Sequence, residues 1–170
     1  GDIVLRAHNI MSDINKQDIV AGRMPETADE CLLDARYYSS DILGDVVTVS
    51  SSNDIDTLDT LSYDEYTVVG LAYDPYYLNY ERGTTSIGTG TVTAFVYIPS
   101  EGFSSEAYHE LYLLTDVSAD AYTEEYDVEI DNYRESVDAL LQERGKIRYD
   151  KIKSDAEAEI SDAEKELADK

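Results

Sequence analysis

The side chains best suited to chemistry are acidic, and three of them stand close together at Asp54, Asp56 and Asp59. A calcium-binding loop holds its ion with oxygen ligands at alternate positions, and it also needs Gly at position 6 and Glu at position 12. Counted from Asp54, Leu58 occupies the fifth position, Asp59 the sixth and Glu65 the twelfth. Because the Gly is missing and the fifth position is apolar, we predict a solvated acidic loop and no metal site.

Cysteine and histidine are too few for most nucleophilic chemistry. Cys31 is the single cysteine and lies in the apolar run Glu30–Asp34, while His8 and His109 are the two histidines. A reactive thiol needs a partnered base and a positive environment. In this acidic chain we expect Cys31 to be a small buried hydrophobic residue, and it has no second cysteine with which to form an internal disulfide.

Two further catalytic patterns are incomplete. The segment Gly83–Gly90 has small residues like those of a phosphate-binding loop, but it lacks Lys and precedes a predicted strand rather than a helix. A glycosidase would need a pair of carboxylates, but a chain with 37 acidic residues brings some of them together by chance, and it has no Trp. We therefore predict no catalytic residues, no cofactor and no enzymatic activity.

Tyrosine is unusually frequent, with 15 copies, and four of them cluster at Tyr73, Tyr76, Tyr77 and Tyr80. Tyrosine offers contact area at low entropic cost and is enriched at protein interfaces. We consider these four residues, with Arg82, as candidate contacts for a partner. The alternative is that the rings cap a small core and direct their hydroxyl groups outward. Arg82 is the single basic residue in 37–119, and we expect it to pair with nearby carboxylates.

The charge of the chain excludes two classes of partner. Its 170 residues include 37 acidic and 13 basic side chains, for a net charge of −24. Nucleic acids and anionic lipid surfaces would repel such a protein, whereas cationic peptides would be attracted. Leu, Ile, Val and Phe number 40, above the ~20% below which disorder prevails. No run approaches the ~18 apolar residues of a membrane span.

Composition divides the chain near Asp116–Asp120, because residues 37–119 carry thirteen acids and one base whereas residues 121–170 mix 16 acids with 8 bases. Short runs rich in Val, Ile, Thr and Tyr are typical of strands. The predicted strands are Asp2–Ala7, Asp18–Ala21, Glu30–Ala35, Asp45–Ser50, Glu65–Tyr73, Thr91–Ile98 and Glu110–Val117. We predict an α+β fold, in which residues 1–119 form a β-rich domain with a mixed or antiparallel sheet and short helices. Asn53–Ser62 is predicted to be a loop or the tip of a hairpin.

Residues 120–170 are predicted to form one long helix of the coiled-coil type, from about Ala121 to Lys170. Its apolar residues recur mostly every three or four positions, near the helical period. They are Tyr122, Tyr126, Ile130, Tyr133, Val137, Leu140, Ile147, Ile152, Ala156, Ile160, Ala163 and Leu167. At ~1.5 Å per residue the helix would be ~75 Å long, so we expect its apolar stripe to need a partner helix. The favoured partner is the second arm of a truncated antiparallel hairpin, and the alternative is a second chain.

Four segments of the first domain follow one another in a recognisable order. They are Gly22–Pro25, Asp29–Asp34, Leu43–Val49 and Tyr66–Leu71. In order and spacing they resemble the extracytoplasmic domain of FtsX-like (MacB-type) ABC transporter permeases, over roughly residues 15–120. The segments Tyr76–Leu78 and Glu81–Gly83 and the Gly-rich loop Gly83–Gly90 resemble the form found in large Gram-positive permeases. In that form a long coiled-coil segment follows the first β-rich part, as Tyr122–Lys170 does here.

The resemblance implies a mechanical role rather than a catalytic one. Such permeases couple ATP hydrolysis in the cytoplasm to movement of an extracytoplasmic domain in export, peptide resistance or control of cell-wall hydrolases. It implies a location at the extracytoplasmic face of the cell membrane. It also implies an ATP-binding subunit as partner, reached through a membrane part, and an extracellular protein or peptide as a further partner. The alternative is a secreted or surface-anchored adhesin module on a coiled-coil stalk.

Overall fold

The structure, a computed structural model, describes residues 3–75, 77, 81–105 and 108–168. The chain forms two compact units, Gly1–Tyr112 and Leu113–Lys170. The first contains a six-stranded sheet and the second contains one long helix.

The sheet of the first unit is mixed, which confirms the predicted α+β class. Its strands are β1 (Leu5–Asn9), β2 (Asp18–Gly22), β3 (Glu30–Asp34), β4 (Val46–Thr48), β5 (Glu65–Tyr73) and β6 (Ala94–Ile98). The order is β1-β6-β3-β5-β2, and β4 also pairs with β5. The pairs β1/β6 and β3/β5 are parallel, while β2/β5, β3/β6 and β4/β5 are antiparallel.

Both faces of the sheet are apolar, because alternate residues of a strand point to opposite faces. One face carries Cys31, Leu33, Tyr66, Val68 and Val96, and it packs against partly buried residues that include Tyr38, Leu43, Val47, Leu61 and Phe103. The other face carries Leu32, Ala72, Phe95 and Tyr97, with Val92 and Tyr77 packed on it. The central strands are therefore buried on both sides, and all five residues of β6 are buried.

Short helical turns occur between the strands. They are the 3₁₀ turns Ser40–Ile42 and Ser100–Gly102 and the single-turn helix α1, Ile55–Leu58. The prediction of a loop at Asn53–Ser62 missed α1, whose first turn is capped by the Asp54 carboxylate accepting from the Thr57 N–H at 2.7 Å.

The predicted strand Glu110–Val117 is wrong, since this segment has no strand in the structure. Leu111, Leu113 and Leu114 are exposed there. β-propensity measures how well a side chain fits a pleated, half-buried surface. A segment that does not pair with another strand has no such surface, so its propensity alone does not make it a strand.

Strand β2 approaches β5 through two glycines. Gly22 and Gly70 are paired residues, and Gly22 has a φ of +74°, which favours glycine. A Cβ atom on Gly70 would lie 2.4 Å from the Arg23 carbonyl oxygen and 2.8 Å from Leu32 Cδ2. The two strands can adopt this separation only because neither residue has a side chain.

An ion pair fixes the turn between β2 and β3. Arg23 donates two hydrogen bonds to the Glu30 carboxylate, at 2.7 and 2.5 Å, and the Glu26 N–H donates to Glu30 at 2.7 Å. The Arg23 guanidinium and the Glu26 N–H together lower the pKa of Glu30 from 4.5 to about 2. The turn is therefore held by an ionised carboxylate.

The free energy of unfolding should depend on Glu30 in acid. Because its pKa is lower in the folded state, its contribution is complete above about pH 4.5 and is lost as the pH falls towards about 2. We expect Glu30→Gln to flatten this part of the stability profile, measured by urea denaturation at several pH values. Glu26→Gln, at an exposed carboxylate, is the control and should leave the profile unchanged. An unchanged profile for Glu30→Gln would contradict the assignment.

The second unit contains helix α2, Glu124–Ala168, which matches the predicted helix except for the first three residues and for residues 169–170, which lie outside the described residues. The Tyr126 N–H donates to Thr123 Oγ1 at 3.2 Å, which caps its first turn. The residues before it contact its second and third turns, as the Ser118 N–H donates to Glu129 and the Tyr133 hydroxyl donates to Asp116. No helix in the described part of the chain is both long and apolar enough to span a bilayer.

The apolar residues of α2 do not share one face along its length, as the single predicted stripe requires. At ~100° per residue, Tyr126, Ile130, Tyr133, Val137, Leu140 and Ile147 lie on one side. The apolar residues from Tyr149 to Leu167 are centred about 140° away from this side, measured around the helix axis. No described residue of α2 is buried, so both stripes are open to solvent or to a partner.

Candidate functional site

The strongest concentration of interacting polar and aromatic side chains lies on the second face of the sheet. Strands β1 and β6 are parallel, with Arg6 opposite Phe95 and His8 opposite Tyr97. The last residue of β3, Asp34, adds a carboxylate, and the chain that follows β5 adds Tyr77 and Arg82. We call Asp34, Arg82, His8, Tyr77, Phe95 and Tyr97 the Arg82 cluster.

A buried ion pair anchors this cluster. Arg82 Nε donates to Asp34 Oδ2 at 2.6 Å, and Arg82 Nη2 donates to Oδ1 at 3.1 Å. Arg82 is 6% exposed and Asp34 is 2% exposed, so both charges are removed from water. Bidentate geometry of this kind is among the strongest side-chain interactions. Arg82 pairs with a carboxylate, as predicted, but this partner is not nearby in the sequence, because Asp34 lies 48 residues away.

Further contacts complete the surroundings of the two charges. Asp34 Oδ1 also accepts from the Arg36 N–H at 3.0 Å, in a turn directly after β3. The guanidinium carbon of Arg82 lies 4.9 Å from the centre of the Phe95 ring, a cation–π distance. The loop that carries Arg82 is thereby tied both to the end of β3 and to the middle of β6.

Three rings surround His8, and one of them is Tyr97, whose ring centre is 6.0 Å away. The ring centres of His8 and Phe95 are 4.9 Å apart in an edge-to-face arrangement, and Tyr77 lies 5.5 Å from His8 and 4.2 Å from Phe95. The Tyr77 hydroxyl is 3.4 Å from His8 Nε2. Burial lowers the pKa of His8 below 6.5; Asp74 and Glu110 oppose this shift, and Arg6 adds to it. The ring is therefore neutral at neutral pH.

His8 should make the stability of the first unit sensitive to mild acid. Because the fold disfavours the protonated ring, the unfolded chain binds more protons, so the free energy of unfolding should fall as the pH drops below 6.5. We expect His8→Gln to remove much of this dependence between about pH 7 and pH 5. Guanidinium denaturation at each pH measures it, and an NMR titration giving His8 a pKa above 6.5 would refute the mechanism.

The buried nucleophiles of the sheet are held in their neutral forms. Cys31 is fully buried, as predicted, and desolvation raises the pKa of its thiol to about 12. Burial also raises the pKa of the Tyr97 hydroxyl, with the Asp74 carboxylate adding to the effect. At neutral pH neither group is ionised, so the Arg82 cluster presents one ion pair and a set of neutral rings.

The tyrosines singled out in the sequence have different environments. Tyr73 is 40% exposed and lies beneath the Arg36 guanidinium, 5.3 Å from its ring centre. Tyr77 is half-buried against Phe95 and His8, and Arg82 is buried against Asp34. Tyr76 and Tyr80 lie outside the described residues. Contact of these residues with a partner stays a prediction, and among those that the structure describes Tyr73 offers the most surface.

Two other sequence patterns have structural roles. Among Asp54, Asp56 and Asp59, the Asp54 carboxylate caps α1, and the described residues hold no group of three or more potential metal ligands. In Gly83–Gly90 the three glycines all have positive φ angles, a backbone conformation that glycine adopts without steric cost. That loop is closed by a bridge between Thr84 and Thr91.

No family model, curated protein or solved structure matches this chain.

The four segments that carry the permease resemblance meet around β5. Gly22 of the first segment pairs with Gly70 of the fourth, and Glu30 of the second binds Arg23 of the first. In the third, the Gly44 N–H donates to the Val68 carbonyl at 2.8 Å, and the Val68 N–H donates to the Asp45 carbonyl at 2.8 Å. Segments that are far apart in sequence therefore form one connected structural unit.

Sequence reasoning missed most members of the Arg82 cluster. His8 was considered only as a candidate base, and Asp34, Phe95 and Tyr97 were not recognised as its neighbours. The alternation of Thr91–Ile98 places Phe95 and Tyr97 on one face and was the available signal. The pairing of Arg82 with Asp34 spans 48 residues, and no local pattern indicates it.

Proposed function

We propose that this chain is a non-catalytic extracytoplasmic domain of an ABC transporter permease, which transmits ATP-driven motion to an extracellular protein or peptide. The observation that carries the proposal is the meeting of the four resemblance segments around β5. If these segments resemble the permease domain because they maintain one fold, they should be in contact, and they are. The proposal places the domain at the outer face of the membrane, with an ATP-binding subunit on the cytoplasmic side.

Ion pairs between loops and strands of the first unit support this role. A domain that transmits force must move as one body, so its loops have to be tied to its core. The Arg82–Asp34 pair ties the loop after β5 to the sheet, and the Arg23–Glu30 pair ties the turn after β2 to β3. In the second unit, the 45 residues of α2 would span about 68 Å as a lever or a docking arm.

Cysteine labelling in intact cells tests the location. Ser51 is exposed in a turn, so Ser51→Cys in the full-length parent protein offers an accessible thiol. Cys31 is fully buried, so the parent without the substitution is the matched control for background. We expect a membrane-impermeant maleimide to label Ser51→Cys in intact cells. Labelling only after lysis would refute an extracytoplasmic location.

Co-purification and ATP hydrolysis test the coupling. We expect the full-length protein to purify from membranes with a subunit that hydrolyses ATP. We also expect Asp34→Asn, which loosens the loop, to reduce the cellular function more than the rate of ATP hydrolysis. A protein that is labelled outside but purifies without any ATP-hydrolysing partner would refute the permease function and favour the adhesin alternative. Tyr73→Ala would then be the first variant to test for loss of ligand binding.

A further inference from the structure

The first apolar stripe of α2 follows a heptad pattern. One series recurs every seven residues and consists of Tyr126, Tyr133, Leu140 and Ile147. A second series begins four residues later, also with a spacing of seven, and consists of Ile130, Val137, Arg144 and Lys151. These are the d and a positions of a coiled coil. All lie on a helix with no buried residue, and the stripe ends where the apolar residues change face after Ile147. The coiled-coil pattern is therefore confined to residues 126–151.

Charge along this part of α2 is strongly polarised. Residues 124–138 carry seven acidic side chains and one basic side chain, while residues 144–153 carry five basic and one acidic. A second copy in the same direction would place acid against acid and base against base. A second copy in the opposite direction places each acidic stretch beside a basic one.

The core positions also distinguish the two directions. In a parallel pair, a positions face a positions, so Arg144 would meet Arg144 and Lys151 would meet Lys151. In an antiparallel pair, a positions face d positions. With Val137 opposite Leu140 of the second copy, Ile130 is opposite Ile147. The same register sets Arg144 against Tyr133 and Lys151 against Tyr126, where each cation meets an aromatic ring.

We propose that the chain self-associates as an antiparallel coiled coil through residues 126–151 of α2, in this register. The occupant of the exposed stripe is a second copy of the same chain, because the stripe is complementary to itself in both charge and core residues. The inference is independent of the proposed transport function. The total charge of −24 opposes association, but ionic strength near 0.15 M screens charges separated by more than about 8 Å.

Disulfide cross-linking of the 170-residue chain tests the orientation. In the proposed register, the two copies of residue 130 are about 25 Å apart along the axis, far beyond the ~7 Å limit for a disulfide. We expect Ile130→Cys alone and Ile147→Cys alone to remain uncross-linked under mild oxidation, and their mixture to give a covalent dimer. Cross-linking of either variant alone overturns the antiparallel register. Ile160→Cys, outside the segment, is the control and should cross-link with neither variant.

Sedimentation equilibrium tests the association itself. We expect the unmodified chain to form dimers at micromolar to millimolar concentrations, and Val137→Glu to raise the dissociation constant at least tenfold by placing a charge in the core. Val128→Glu makes the same change at an exposed position outside the a/d series and should leave the constant unchanged. A chain that is monomeric throughout, or equal weakening by both variants, overturns the proposal. Circular dichroism confirms that each variant keeps its helix.

Discussion

Replacing Arg82 with Met should lower the free energy of unfolding of the first unit by about 3–5 kcal/mol. The substitution removes the cation and leaves the Asp34 carboxylate, 2% exposed, without its bidentate partner. An uncompensated buried charge costs more than a lost surface contact, because water cannot replace the missing ligand. Urea denaturation followed by tyrosine fluorescence measures the change.

Matched variants separate the charge from the packing. Asp34→Asn keeps the shape of the side chain and an oxygen for the Arg36 N–H, but removes the negative charge that the buried Arg82 guanidinium binds at 2.6 Å, so it should cost about as much as Arg82→Met. The double variant should cost clearly less than the sum of the two, since it removes both charges of the pair together. Arg36→Met, at an exposed arginine, should change stability by less than about 1 kcal/mol. Additive losses in the double variant would show that the pair is not coupled.

Gly70→Ala should destabilise the first unit by about 3 kcal/mol or more, at the upper end of the cost of overpacking. The added methyl group would lie 2.4 Å from the Arg23 carbonyl oxygen, so backbone as well as side chain must move. Strand β5 pairs with β2, β3 and β4, and a shift at Gly70 disturbs the centre of the sheet. The midpoint of urea denaturation at neutral pH measures the loss.

The same substitution at Gly145 should stabilise its helix rather than destabilise the protein. Gly145 lies within α2, and a Cβ atom there meets nothing within 4 Å. Alanine is favoured over glycine by about 1 kcal/mol in a helix interior, so Gly145→Ala should raise the thermal midpoint of α2, followed by circular dichroism. If Gly70→Ala proved as harmless as Gly145→Ala, β2 and β5 would be free to separate, and the close approach of the glycines would not constrain the sheet.

Both variants of the first unit bear on the proposed function. Arg82 holds the loop after β5 on the sheet. Gly70 allows strand β2 to pair closely with β5. If the domain transmits motion, weakening either contact should reduce transmission before it abolishes folding. Comparing the cellular function of each variant with its measured stability would separate the two effects.

The sequence by itself determined those features that depend on local periodicity. The limits of β5, Glu65–Tyr73, were predicted to the residue, because β-branched residues there are bounded by Asp74 and Pro75. The helical period of the tail located α2 to within a few residues. Burial of Cys31 followed from the apolar run around it, and the α+β class followed from the change of period along the chain.

Only the tertiary structure decided which distant residues meet. It joined Arg82 to Asp34 and set His8 among Phe95, Tyr77 and Tyr97, because strand order and register depend on the sum of many weak contacts rather than on any local pattern. It also left Glu110–Val117 outside the sheet, although its residues favour strands. Local propensity limits the backbone conformations that each segment can adopt. Strand pairing also requires a second segment at the right distance, and the sequence of one segment does not encode that distance.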